Sequence, residues 1–588
     1  MPETASTVAT QRESTRRGPL HLGRGQDVMY AGAVLVGALL VVIAANDQPY
    51  NQNELQQMAP YASGDLHTIT SGTRQPPLDA LLAALVQHAV GTGQLRQRIE
   101  PVTFAIGSLV LMCLLLRRLG FGWGGVFAAW VLATQPEMIR YSAYSRPYAL
   151  PVFLMLLCVL ASHQWLTRRQ AWWLVLVAIA AGLLPLSRVP EPTIFLLGSA
   201  MVVGVLGWRR TVPRRTAWPL VAVLAGALVF VGYPMYRSLS QRTGKLFDPS
   251  PADVVARFGD SAHTLVHVSL PLLGELFPWW PVTLVVLVLV VAHPRARHRL
   301  TAVWWVWPLL SAPLLFFLAF HFANSFSLAA RPYRARYAYF FVPGLVLIVA
   351  CAASTVRDPR RHRTAANLGL AALLAALLVG QLPATVGVVA ATSPAGFGQP
   401  ADFGAAATVL TTRLPADAIV LYDAPSPAGS WRQGFSGRPR YMGAVPFVAS
   451  ATVVARHPGM LPRTGPVYLL VLDTQCSMTV DCEMPALPWD KHVASWRMVE
   501  RFDRFRLYAP DRGQSGRLGA AEAMLAFGHA LGPNLGMVDT FAAAAIFHAE
   551  GMPRRGHAVI QAFYAMVGPS RARSYLRIAA AQHLGPYS

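Results

Sequence analysis

The chain has 588 residues, 54% of them apolar and only 13% charged, with a mean hydropathy of +0.39. That hydropathy excludes an ordinary soluble enzyme and points to a protein with many membrane-spanning helices. The net charge of +22 would suit a nucleic-acid binder. The arginines, however, sit in short gaps between apolar runs, as topology signals beside anionic head groups do, and no basic, aromatic-interleaved groove accompanies them.

Residues 1–27 are polar and basic, with Arg12, Arg16, Arg17 and Arg24. They read as a cytoplasmic tail rather than a cleavable signal, because the apolar run that follows has spanning length. A ruler of about 20 apolar residues per crossing gives about eleven spans. They lie near 28–46, 99–117, 121–136, 148–166, 171–187, 193–209, 217–235, 270–292, 301–321, 337–355 and 366–390. The arginine-rich gaps are Arg117-Arg118, Arg168-Arg169, Arg209 to Arg215, Arg295 to Arg299 and Arg357 to Arg363. If the spans alternate, every one of these gaps falls on the side of the N-terminal tail, which the positive-inside rule makes cytoplasmic. The loops at 46–98, 136–147, 187–193, 236–269 and 322–336 are then extracytoplasmic. So is the C-terminal part, which can meet an acceptor there.

The first loop, from Asn46 to Arg98, is the most polar insert in the apolar region. Its carboxylates are Asp47, Glu54, Asp65 and Asp79. Asn51 to Tyr61 is compatible with an interfacial helix that holds Glu54 at the membrane–water boundary. Leu78 to Val90 predicts a second helix, started by Pro76-Pro77. The segment Gln135 to Leu150 carries Glu137, Arg140 and Arg146 at the mouth of an apolar run, and Arg331 to Tyr339 places three arginines outside, against the charge bias. A planar, permanently charged guanidinium suits a phosphate ligand; an aromatic anchor belt of Tyr141, Tyr144 and Tyr148 is the plainer alternative. Cys113, Cys158 and Cys351 lie in apolar runs and read as packing residues, whereas Cys476 and Cys482 sit close together in a polar stretch that an oxidising compartment could bond.

Beyond about residue 393 the composition changes. Ala401 to Leu414 reads as an amphipathic helix, and Ala418 to Tyr422, Val467 to Leu472 and Phe505 to Tyr508 as short strands. This predicts a small extracytoplasmic α/β domain over 393–512. A helical extension over 513–588 is expected to break at Gly532-Pro533, Gly551-Met552-Pro553 and Gly568-Pro569.

The order of the short motifs in residues 28–390 resembles the GT-C superfamily of membrane glycosyltransferases, in the branch of the bacterial protein O-mannosyltransferase-like enzymes and the lipid A aminoarabinose transferases. The matching residues are Asn53-Glu54, Gly64-Asp65, Gln75-Pro76-Pro77-Leu78, Arg146-Pro147-Tyr148-Ala149-Leu150 and Arg336-Tyr337. The resemblance implies an inverting transfer of a mannose- or arabinose-type monosaccharide from a polyprenyl-phosphate donor to a polysaccharide, lipid or protein acceptor. It would take place on the outer face of a bacterial plasma membrane. It implies a first-loop carboxylate as general base, here Glu54 with Asp65 next and Asp47 third. Asn53, Arg74, Gln75, Arg146, Tyr148, Arg336 and Tyr337 become the substrate-binding set. The chain departs from the family at Asn53, where Asp is usual, and at Gln75, where Lys or His is common; Arg74 stands beside Gln75 as a substitute phosphate ligand. No metal-ligand spacing is present and no cofactor is required, although a divalent cation is compatible with the family. Two other readings stay open: a transporter or flippase of lipid-linked sugar, and an inactive glycolipid-binding relative.

Overall fold

The computed structural model describes residues 24–47, 76–90, 95–231, 303–305, 307–315, 339–356, 365–390, 409–410, 412–422, 447–450, 454–455, 457–472, 496–502, 505–510 and 515–568, with short pieces as far as 580. The helices of the apolar region are α1 (Arg24–Asp47), α2 (Pro77–Val90), α3 (Ile99–Arg118), α4 (Trp123–Ala133), α5 (Pro136–Ser142), α6 (Ala149–Arg168), α7 (Ala171–Ser187), α8 (Pro190–Trp208), α9 (Arg214–Gly226), α10 (Val342–Ala353) and α11 (Ala365–Val389). Among the described residues, six helical stretches are long and apolar enough to cross a membrane. On α1, α7, α8 and α11 the outward positions are themselves apolar: Leu35, Val175, Ile179, Met201, Val379 and Val386 are all exposed. Helices apolar all round need a lipid solvent or a larger core, and here the bundle turns these side chains outward. The protein is a polytopic helical membrane protein.

The expected spans and the observed helices agree at nine positions, with differences in length. The expected span at 121–136 is a helix of 11 residues, Trp123–Ala133, followed after Gln135 by the short α5. At a rise of 1.5 Å per residue α4 reaches about 16 Å, roughly half the hydrocarbon thickness. The expected span at 301–321 shows helix at 307–315, and the one at 270–292 lies outside the described residues.

Side-chain contacts fix how the helices alternate. At one end, Asp27 on α1 pairs with Arg117 on α3 (3.3 Å), and Trp165 Nε1 on α6 donates to the carbonyl of Thr216 on α9 (2.8 Å). At the other end, Arg98 Nη1 donates to the Ala45 carbonyl at the close of α1 (2.9 Å). There, too, Gln381 Nε2 on α11 donates to the Val131 carbonyl (3.0 Å) and to Thr134 Oγ1 (2.6 Å), and Thr385 Oγ1 donates to the Thr134 carbonyl (2.6 Å). This last network is buried, so each donor has left water or lipid for a protein partner. Gln381→Leu is expected to cost about 1 kcal/mol, since interhelical hydrogen bonds in membranes are individually modest. A lower thermal midpoint in detergent checks it; an unchanged one would mean that packing alone holds α11 in place.

A second core is built on a five-stranded sheet of order β2-β1-β3-β5-β4, from β1 (Ile419–Tyr422), β2 (Phe447–Ser450), β3 (Val467–Leu472), β4 (Trp496–Phe502) and β5 (Phe505–Pro510). β1 runs parallel to β2 and β3, whereas β5 is antiparallel to β3 and β4. Ile419, Leu421, Val467 and Leu469 pack in this core with side chains from α12 (Gly516–Leu535), α13 (Met537–Ala549) and α14 (Pro553–Val567). β1, β3 and β5 lie where the sequence reads strands. The edge strands β2 and β4 were not read. Of the helix expected over 401–414, residues 401–408 lie outside the described residues. The break expected at Gly532-Pro533 is displaced: α12 runs to Leu535 and the turn falls at Gly536. A proline removes one backbone hydrogen bond and can leave the helix running. The turn sits where α12 and α13 touch backbone to backbone, because a Cβ at Gly536 would overlap the Gly528 carbonyl oxygen. The other two expected breaks occur where they were read, at Gly551 and Gly568, each with positive φ (77° and 79°).

Candidate active site

Charge is distributed unequally between the two ends of the bundle. The end that holds Arg117, Arg118, Arg168, Arg169, Arg209, Arg210, Arg214 and Arg215 carries them all exposed. The opposite end carries buried charge: Asp79, Arg98, Glu100, Glu137, Arg140, Arg188 and Glu191 are each less than 7% exposed. Among the described residues of the bundle, these are all of the buried ionisable side chains with a formal charge. Removing a charge from water is costly unless it is paired, so their collection at one end of an apolar bundle marks a built polar cluster.

Local sequence puts them there. Gln135 caps α5, its side-chain oxygen accepting from the Glu137 amide (3.0 Å), with Pro136 at the first helical position. One turn further, Arg140 Nη1 lies 3.4 Å from Glu137 Oε1. The chain then leaves α5 in two tight turns: the Arg146 amide donates to the Tyr144 carbonyl (2.8 Å), and the Tyr148 amide to the Arg146 carbonyl (2.7 Å). Pro147 suits this bend, and Arg146 projects at half burial between two helix ends.

Behind Arg146 lies a packed aromatic wall. Tyr141 meets Tyr148 edge-on at 5.5 Å and Tyr339 at 6.1 Å, and Tyr148 meets Tyr339 at 6.5 Å. Ser142 Oγ and the Tyr339 hydroxyl share a hydrogen bond of 3.1 Å. The wall joins the stretch around Arg146 to the start of α10. Arg188 stands against it in the two-residue link between α7 and α8, its guanidinium 5.4 Å from the Tyr148 ring and 5.1 Å from Phe340. Its Nε and Nη2 both bond Glu191, at 2.7 and 2.9 Å. Near the return of the first loop, Arg98 lies 5.8 Å from the Tyr144 ring. Asp79 acts electrostatically on Glu100, whose two carboxylate oxygens are buried and make no hydrogen bond among the described residues.

Of the sequence-predicted site residues, Arg146 and Tyr148 are placed, Arg146 half-buried in the turn after α5 and Tyr148 buried in the aromatic wall. Asn53, Glu54, Asp65, Arg74, Gln75, Arg336 and Tyr337 lie outside the described residues, as do Cys476 and Cys482. α1 and α3 bracket the first loop, α2 lies within it, and Arg98 ties its closing end to its opening end through the Ala45 carbonyl. Cys113 and Cys158 are buried free thiols, and Cys351 is buried as well. Among the described residues, no three His, Cys, Asp or Glu side chains gather as a metal site would need. Sequence reasoning missed Arg98, Glu100, Arg188 and Glu191. The signal available for the last two was Arg and Glu three residues apart across Pro190, in a link too short to be solvated freely.

No family model matches the chain, and no curated protein sequence matches it. Among solved structures it is similar to ArnT from Cupriavidus metallidurans in the apo state, at 14% identity and a TM-score of 0.45, covering 82% of this chain and 98% of that one. The same protein bound to undecaprenyl phosphate gives 14%, 0.45, 83% and 98%. The arabinofuranosyltransferase AftD from mycobacteria is similar at 14% identity and a TM-score of 0.40, over 82% of this chain and 40% of that one. The Archaeoglobus fulgidus oligosaccharyltransferase, in complex with zinc and sulfate, is similar at 15% identity and a TM-score of 0.40, over 75% and 68%.

Proposed function

We propose that the chain is an inverting membrane glycosyltransferase that moves a monosaccharide of mannose or arabinose type from a polyprenyl-phosphate donor to an extracytoplasmic acceptor. The observation that carries this reading is the segregation of buried charge to the bundle end that holds both ends of the first loop and, through the Arg98 contact with Tyr144, the segment of Arg146. A lipid-borne phosphate arriving from the bilayer needs guanidinium groups at that depth. An acceptor hydroxyl arriving from water needs a carboxylate there. In the reaction the hydroxyl oxygen attacks the anomeric carbon and the carbon–phosphate oxygen bond breaks. The electron pair leaves on the phosphate, and the hydroxyl proton passes to the base, for which we take Glu54. The leaving phosphate is already ionised, so it needs charge stabilisation more than a proton. The opposite end, with its exposed arginines, is taken as cytoplasmic.

The test supplies radiolabelled polyprenyl-phosphate mannose and arabinose donors to the protein in proteoliposomes. Transfer or donor hydrolysis that Arg146→Ala abolishes supports the enzyme. Intact lipid-linked sugar crossing the bilayer would replace this reading with a flippase. Donor binding without turnover would make the chain an inactive relative, the outcome that Asn53 keeps in view.

A further inference from the structure

We propose that Arg188 is a positioning residue of the donor site: held against the Tyr148 and Phe340 rings and bonded along one edge by Glu191, it fixes the segment that presents Arg146 to the lipid phosphate. The inference rests on the phosphate role given to Arg146 above. It adds a residue that touches neither donor nor acceptor.

Three features make Arg188 a hub rather than an ordinary buried ion pair. Its backbone is extended (φ −162°, ψ 147°) in a link of only Arg188 and Val189, bounded by the end of α7 and by Pro190. The residue before a proline is restricted and Pro190 itself is fixed at the first helical turn, so this link has little freedom. Glu191 lies in the first turn of α8, where a carboxylate is favoured by the helix dipole, and it is fully buried. It accepts two parallel hydrogen bonds, which set the plane of the guanidinium as well as its place. That plane then meets rings from two distant parts of the chain. Tyr148 is two residues past Arg146, and its amide closes the turn on the Arg146 carbonyl. Phe340 opens the stretch that leads into α10, next to Tyr339, which is tied to Ser142. Rings from the stretches just before α6 and α10 could approach each other in many registers; one cation seated against both selects one. A lysine cannot reproduce this arrangement, since an ammonium has neither the fork nor the flat face.

The test uses the full chain in lipid nanodiscs with undecaprenyl phosphate as the probe, its binding titrated for wild type, Arg146→Ala, Arg188→Lys and the paired change Arg188→Gln with Glu191→Gln. The paired change removes both charges together and leaves no orphan in the core. Wild type is expected to bind and Arg146→Ala to bind weakly. The paired variant is expected to unfold cooperatively near the wild-type midpoint yet bind roughly tenfold more weakly, the loss that one misplaced charge-assisted hydrogen bond produces. Arg188→Lys is expected to fail equally, although it keeps the charge. If the paired variant does not fold, Arg188→Lys decides alone. Wild-type binding in Arg188→Lys or in a folded paired variant overturns the positioning role and leaves the enzyme reading intact. Equal binding by wild type and Arg146→Ala overturns the phosphate role of Arg146, and this inference with it.

Discussion

Glu54→Gln is expected to lower sugar transfer by on the order of 10³-fold while leaving undecaprenyl phosphate binding at the wild-type level. The size is that of removing a general base from an otherwise intact site. The split between turnover and binding separates a base from a phosphate ligand. Arg146→Ala should behave in the opposite manner, weakening binding and lowering transfer together by about 10²-fold, because it removes charge stabilisation of the leaving group. We propose Glu54 first because its neighbour is Asn53, which cannot take a proton, and because the sequence reading sets it on an interfacial helix, where a carboxylate would be a stronger base than in bulk water. Single-turnover transfer and lipid titration on one preparation give both readings. If Glu54→Gln keeps its turnover and Asp65→Asn loses it, the base is Asp65 and the first-loop assignment moves by 11 residues along the sequence.

Much of the helical region could be read from hydropathy, because a bilayer imposes one length and one polarity on every crossing. The charge bias was legible for the same reason. Arg117, Arg168, Arg209 and Arg214 stand in short gaps, and the observed contacts between Asp27 and Arg117 and between Trp165 and Thr216 put those gaps at one end. The buried charges were not legible. Arg188 and Glu191 look like residues of a solvated loop until the fold brings Tyr148 and Phe340 from either side; those contacts span 40 and 152 residues, which no local pattern encodes. The missed strand β4 has a similar cause. Its sequence WRMVERF alternates poorly, and Arg497, Met498 and Val499 face outward, as edge strands permit. Of the candidate site, the Arg146 segment was legible because arginine beside tyrosine and proline at the mouth of a span is unusual in apolar sequence. The buried charges of the same bundle end were not, being brought together from α2, α3, α5, α8 and the links before α3 and α8.

Gly124→Val is expected to be the most damaging single change in the bundle. α4 is short and is capped by Gly122, in a φ of 56° that side chains rarely adopt, and it then presses Gly124 against the end of α10. A Cβ at Gly124 would overlap the backbone nitrogen of Ser354 and crowd its Cα at 2.7 Å. Backbone cannot swing aside as the tip of a long side chain can. The choice is therefore between moving α10, which carries the buried Leu347, Val349 and Cys351, and moving α4, which carries Val131 and Thr134 in the Gln381 network. Either shift breaks packing that the bilayer does not replace, since lipid offers no hydrophobic penalty for separating helices and close contact is what holds them. The cost should reach about 3 kcal/mol, the upper range for overpacking a filled interior. Gly226, whose Cβ position is open, is the control: Gly226→Ala should leave the thermal midpoint in detergent within a degree or two of wild type, by the same estimate of near-neutral surface changes. A Gly124→Val protein as stable as that control would show that α4 and α10 do not meet backbone to backbone. The strain would also reach the aromatic wall: α10 begins at Val342, just past Tyr339 and Phe340, so a displaced α10 should unseat Arg188 and, on the proposed function, weaken undecaprenyl phosphate binding in whatever fraction still folds.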